Sequence, residues 1–150
     1  MPGRKKIKVL FISIKNSARS QMAEAFLENL APEQFQVSSA GTSPDLKINP
    51  IAIEVMREIG IDISNKEPKG LLNYLPHTGF FDYIITICDK DEDIRCPAFS
   101  DKTKKLHWNI QNPEIGGSYD EKIEKMREIR DIIAENVRKF VKEVKKIKDF

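Results

Sequence analysis

The chain has 150 residues, a length that suits one domain, residues 1–150, with enough interior for a real core. Its 25 Lys and Arg nearly balance 23 Asp and Glu for a net charge of +2, so the strong field expected of a nucleic-acid or membrane-surface binder is missing. No apolar run approaches transmembrane length, and the basic start from Met1 to Lys6 leads straight into a strand without a signal-peptide core. Two cysteines in such a chain point to a reducing cytoplasmic setting, where paired thiols are more often redox or metal groups than staples.

Ile7 to Ser13 is a continuous apolar run of the kind buried on both faces of a parallel sheet. A polar loop follows, and an amphipathic helix is expected from about Ser17. Ala18, Met22, Phe26 and Leu30, with Ala23 and Leu27, form its apolar face, and Gln21, Glu24 and Glu28 fall on the other side. Gln36 to Ala40 is a second short strand, ended at Gly41 to Pro44. Asn49 and Pro50 have the chemistry of an N-cap and a first helical residue. Ile51, Ala52, Val55, Met56 and Ile59 supply the buried side of that helix, and Gly60 closes it. After the polar stretch from Asp62 to Pro68, one short helix is expected around Leu71 to Tyr74. Phe81 to Cys88 is the third strand, and Lys105 to Trp108 the fourth. Between them Asp89 to Arg95 is nearly all charged, which predicts a mobile segment. From Tyr119 the residues Ile123, Met126, Ile129, Ile133, Val137, Phe140, Val144 and Ile147 recur every three or four positions, as in one long amphipathic helix or a coiled coil.

This order implies an α/β fold, a small four-stranded parallel sheet with helices on both faces. Ligands in such sheets bind outside the carboxyl ends of the strands. The loop after Ser13 and the segment after Cys88 both fall there. A strand feeding a helix through a short loop leaves the first helical N–H groups unpaired, and the helix dipole adds positive charge, so the loop is an anion site. Arg19 adds a planar fork of donors suited to a tetrahedral oxyanion. Neither G-x-x-x-x-G-K-S/T nor G-x-G-x-x-G is present, so the nucleotide-loop readings lose their support, and no cofactor is expected. Cys88 and Cys96, with distant His77 and His107, lack the spacing of a zinc site.

Ser13, five residues, then Arg19 and Ser20, continued by Gln21-Met-Ala-Glu-Ala25, resembles the phosphate-binding loop of the low-molecular-weight protein tyrosine phosphatases, closest to their thioredoxin-coupled arsenate reductases. The resemblance implies a flavodoxin-like fold and oxyanion binding by Ile14, Lys15, Asn16, Ser17, Ala18, Arg19 and Ser20. It also implies a relay of three cysteines, from the nucleophile at position 13 to Cys88 and then Cys96, which hands the disulfide to thioredoxin or a similar dithiol. That hand-over needs the Cys88 and Cys96 α-carbons within roughly 4.4–6.8 Å, which a refolding segment allows. The family's nucleophilic cysteine is Ser13 here, and we read it as an engineered replacement. Such a chain binds arsenate, phosphate or sulfate and turns nothing over.

The family's Asp-Pro general acid is Asn112-Pro113 here, which leaves Glu114 or Asp120 to substitute. Asn16, Glu24 and Ser39 match positions that hold the loop, in some members with a potassium ion. The further carboxylate of those members aligns with Lys69, whose ammonium is expected to replace the ion. Ser20 is expected to donate toward residue 13, and His107 and Trp108 to pack under the site. A monomer is expected. The alternatives are a phosphatase and a natural oxyanion-binding protein with a native Ser13.

Overall fold

The apolar runs that read as strands become a sheet buried at its centre. The computed structural model describes residues 6–73, 81–89, 92, 103–114 and 116–148. In chain order these form β1 (Ile7–Ser13), α1 (Arg19–Leu30), β2 (Phe35–Gly41), α2 (Pro50–Arg57), a single 3-10 turn (Leu71–Asn73), β3 (Tyr83–Cys88), β4 (Lys104–Asn109) and α3 (Tyr119–Lys148). The strands are all parallel in the order β2-β1-β3-β4, the small four-stranded parallel sheet expected for this α/β order. Val9, Leu10, Phe11 and Ile12 of the central β1 are fully buried.

Alternation along the strands divides the core into two layers. Val9, Phe11, Ile85 and Ile87 face α1, α2 and α3, whereas Leu10, Ile12, Ala40 and Ile84 meet Leu71 of the 3-10 turn on the opposite face. The stripe of α3 is consumed in the first layer. Ile123 to Val144 are buried there, and Phe140 packs its ring on Phe35, Tyr83 and Trp108. With that face used within the chain, the coiled-coil alternative has no seam left to offer.

Two helices differ from their sequence patterns. Gln21 and Glu24 of α1, expected on the polar side, are buried, while Leu30 is exposed. The first two turns of α1 are covered on the second side by residues 13–16 and 66–69, which supply polar partners. In α2, Asn49 Oδ1 accepts from the Ile51 and Ala52 N–H groups and Pro50 opens the first turn. The helix stops at Arg57, and Gly60 takes φ +82° beyond it, so Ile59 lies outside the buried stripe and is exposed. Of the segment expected to be mobile, only Asp89 and Glu92 are among the described residues. Tyr74, His77 and Cys96 also lie outside them.

Candidate active site

The loop of residues 14–18 is shaped from outside. The carbonyls of Ser13, Ile14, Lys15 and Ser17 accept from the backbone N–H groups of Thr42, Ser43, Asp45 and Asn49, at 2.8 to 3.1 Å. In a trans peptide the N–H points opposite its carbonyl, so the amides of Ile14, Lys15, Asn16 and Ala18 turn inward together. Asn16 reaches this bend at φ 53°, a conformation asparagine tolerates better than most residues. Gly41 makes the close approach possible, because a Cβ there would lie 2.6 Å from the Ile14 carbonyl oxygen. Helix α1 then starts with Ala18 as its cap, a residue with no side-chain acceptor, so the first-turn donors stay open to the loop.

Polar side chains lock the loop from below. Asn16 Nδ2 donates to Ser20 Oγ at 2.8 Å, and Asn16 Oδ1 accepts from Gln21 Nε2 and from the Lys69 backbone N–H. Ser20 Oγ lies 2.6 Å from Ser13 Oγ, and the Asn16 N–H also points to Ser13 Oγ at 3.2 Å. With Asn16 donating to it, Ser20 is free to donate to Ser13, so two donors converge on the side-chain atom of position 13.

The charges of the cleft are already paired. Arg19 Nη1 and Nη2 donate to the two Glu92 oxygens at 2.5 and 2.6 Å, and Nη1 also donates to the Ile110 carbonyl at 2.9 Å. Both partners are nearly buried, at 6% and 10% exposure. Among the described residues the rest of the fork, Nε–H and the second Nη2 proton, has no partner and leaves an edge for a bidentate oxyanion. Lys15 is exposed and paired with Glu114, whose hydrogen bond is the main reason its ammonium ionises above the ordinary value. The resulting cleft holds about 340 Å³, with residues 13–19 on one wall and Glu92, Asn112, Pro113 and Glu114 on the other.

These observations sort the expected residues. Residues 13–19 line the cleft with Asn112 and Glu114, Ser20 lies beneath, and Asp120 in the first turn of α3 is not part of the lining. Asn112 Oδ1 is turned to the Glu114 backbone N–H, so its carbonyl is engaged in a local turn. Glu24 is buried, but the ammonium nearest to it is that of Lys66, at 2.6 Å, and Lys69 Nζ stands off at 3.9 Å. Lys69 serves the loop through its backbone instead. Ser39 Oγ is buried with no partner among the described residues, so it does not hold the loop by a hydrogen bond. Cys88 ends β3 as a free, buried thiol. Burial first, then the charge of Glu92, pushes its ionisation up, Asp89 adds to the rise, and Arg19 opposes it. Trp108 packs on Phe11 as expected, whereas His107 faces the other way and reaches Thr86 and Cys88.

An N–H-lined loop between β1 and α1, crossed by a single arginine, is one side of the comparison with known proteins. The other is a family profile, that of low molecular weight phosphotyrosine protein phosphatase, which matches residues 8–149. The chain belongs to this phosphatase family. Among its relatives, arsenate reductase 2 of Staphylococcus saprophyticus is 36% identical over 132 residues, 88% of this chain and 94% of that protein. A solved structure of an arsenate reductase in the phosphate binding state superposes with a TM-score of 0.75 at 27% identity, over 91% of this chain and 98% of that one. A thioredoxin-dependent arsenate reductase of Corynebacterium glutamicum does so at 0.64 and 29% identity, over 91% of this chain and 64% of that one. Within the phosphatase family, sequence reasoning missed Glu92, Lys66 and Gln21 as parts of this site. Glu92 was one carboxylate in a charged run, and nothing local marks which of them meets Arg19.

Proposed function

We propose that the chain is an arsenate reductase of the cysteine-relay type, regenerated by thioredoxin or a similar dithiol, with Ser13 standing where the nucleophilic thiol belongs. One observation carries the reading. The inward amides and the free edge of Arg19 line one cleft with Ser13, two donors reach Ser13 Oγ, and a second thiol, Cys88, ends the neighbouring strand.

With cysteine at 13, the same two donors and the α1 N-terminus stabilise a thiolate. The thiolate attacks arsenic(V), a sulfur–arsenic bond forms and one arsenic oxygen leaves as water. Cys88 then attacks the sulfur of residue 13. The sulfur–arsenic bond breaks, its electron pair stays on arsenic, and arsenic(III) departs as arsenite. Cys96 exchanges with the 13–88 disulfide, and an external dithiol reduces the 88–96 disulfide. Serine cannot take this part, because a hydroxyl in the same environment stays protonated and forms no disulfide. The chain as written therefore holds arsenate, phosphate or sulfate without turnover. Ser13→Cys, assayed for arsenite with a thioredoxin system, should gain activity; a folded variant with none refutes the proposal.

The family itself favours a second reading, phosphoester hydrolysis. That reaction needs an acid for the leaving group, and Asn112 supplies none. Hydrolysis by Ser13→Cys that survives Cys88→Ser would favour it.

A further inference from the structure

Strand register brings an imidazole to the second thiol. Thr86 of β3 lies opposite His107 of β4, and Cys88 is two residues beyond Thr86, on the same face of the sheet. His107 Nε2 stands 3.8 Å from Cys88 Sγ, within hydrogen-bond range for sulfur, and His107 Nδ1 stands 2.8 Å from Thr86 Oγ1. Thr86 Oγ1 has the Leu106 carbonyl as an acceptor at 3.4 Å, which leaves its lone pairs to receive Nδ1–H. With Thr86 donating to the Leu106 carbonyl, the ring proton lies on Nδ1 and the Nε2 lone pair turns to the thiol.

We infer that His107 is the general base that takes the proton of Cys88, with Thr86 orienting the ring. The step it serves rests on the relay reading above, in which Cys88 must attack as a thiolate. The Cys88 S–H proton passes to Nε2 and the sulfur electron pair makes the new bond. The imidazolium then loses its proton to water, because His107 is exposed. The surroundings require such a base. Cys88 is buried and faces Glu92 and Asp89, both of which oppose a thiolate, and Arg19 of α1 only partly offsets them. Lys105 lies two residues along the same face of β4.

Cys88 can be read directly in the chain as it exists. Iodoacetamide alkylation from pH 6 to 10, followed on the Cys88 peptide by mass spectrometry, should show a reactive shoulder below the rise of the thiol itself. His107→Gln should lose the shoulder and slow alkylation at pH 7 by about tenfold or more, with the two profiles meeting near pH 10. Thr86→Val should shift the profile in the same direction by less. Superimposable native and His107→Gln profiles overturn the inference. If His107→Gln does not fold, the native profile decides alone, since a single rise above pH 9 also overturns it. No arsenate enters this experiment, so its failure leaves the anion loop standing. An inactive Ser13→Cys enzyme, conversely, leaves the alkylation result standing.

Discussion

Glu92→Gln separates what holds Arg19 from what Arg19 binds. The guanidinium and the carboxylate are 6% and 10% exposed and share two bonds of 2.5 and 2.6 Å, so water screens the pair little. Removing one member of a buried pair costs about 3–5 kcal/mol. Glutamine keeps one oxygen for one of the two Arg19 donors, which brings the expected loss to about 2–3 kcal/mol. For a domain of this size the midpoint should fall by about 4–12 °C.

The same change should tighten oxyanion binding. An anion on the second Nη2 proton lies about 5 Å from Glu92 Oε2, by the geometry of two acceptors on one nitrogen. At an effective dielectric near 20, a unit charge at that distance repels by about 3 kcal/mol. A less firmly oriented fork gives back about 1–2 kcal/mol, one hydrogen bond's worth, leaving a net gain of roughly tenfold in affinity. Thermal unfolding with and without phosphate, together with calorimetric titration, reads both effects. The variant should melt lower without phosphate and gain more from it than the native chain. An unchanged midpoint with equal or weaker phosphate binding would refute the reasoning.

Gly41→Ala puts a methyl 2.6 Å from the Ile14 carbonyl oxygen and 3.0 Å from the Asn16 Cβ, and both contacts are to the loop. The loop must move, so phosphate affinity should fall about tenfold and stability by about 1–3 kcal/mol, measured by titration and denaturant unfolding. Asn49→Ala removes the α2 cap but keeps the Asn49 N–H on the Ser17 carbonyl. It should cost about 1 kcal/mol with phosphate affinity unchanged, and a matching loss of affinity would show that the cap also sets the loop. Lys66 is pulled down by burial, but the hydrogen bond and charge of Glu24, with Glu28, hold its ammonium above the ordinary 10.5. A raised folded value stabilises fully below the unfolded one and is lost as pH rises through it, so the contribution should be flat from pH 5 to 9 and fade above about 10.5. Lys66→Gln should therefore destabilise by about 1–2 kcal/mol at pH 7 and by much less at pH 11, in urea unfolding at each pH.

Much of the loop was legible along the chain because its chemistry is local. A buried strand, a short connection and a helix start leave amides unpaired whatever packs around them, and Arg19 lies in the same turn. The N-cap at Asn49 and the single long α3 follow from neighbouring residues and from a period of three to four. Register carried Cys88 to the same end of the sheet.

Partners far apart in sequence are another matter. Arg19 meets Glu92 across 73 positions, Glu24 meets Lys66 across 42, and Cys88 meets His107 across 19. Each pair is joined by strand order and layer packing, so no window on the chain contains both members. Gln21 and Glu24 show the limit most clearly: periodicity assigned them to solvent, and residues 66–69 folded back over them. The sequence alone determined that a loop of unpaired amides forms after β1 and where it sits, because backbone geometry dictates it. Only the tertiary structure decided which charges are neutralised there and which edge of Arg19 stays free, because those depend on side chains that meet only once the sheet is assembled.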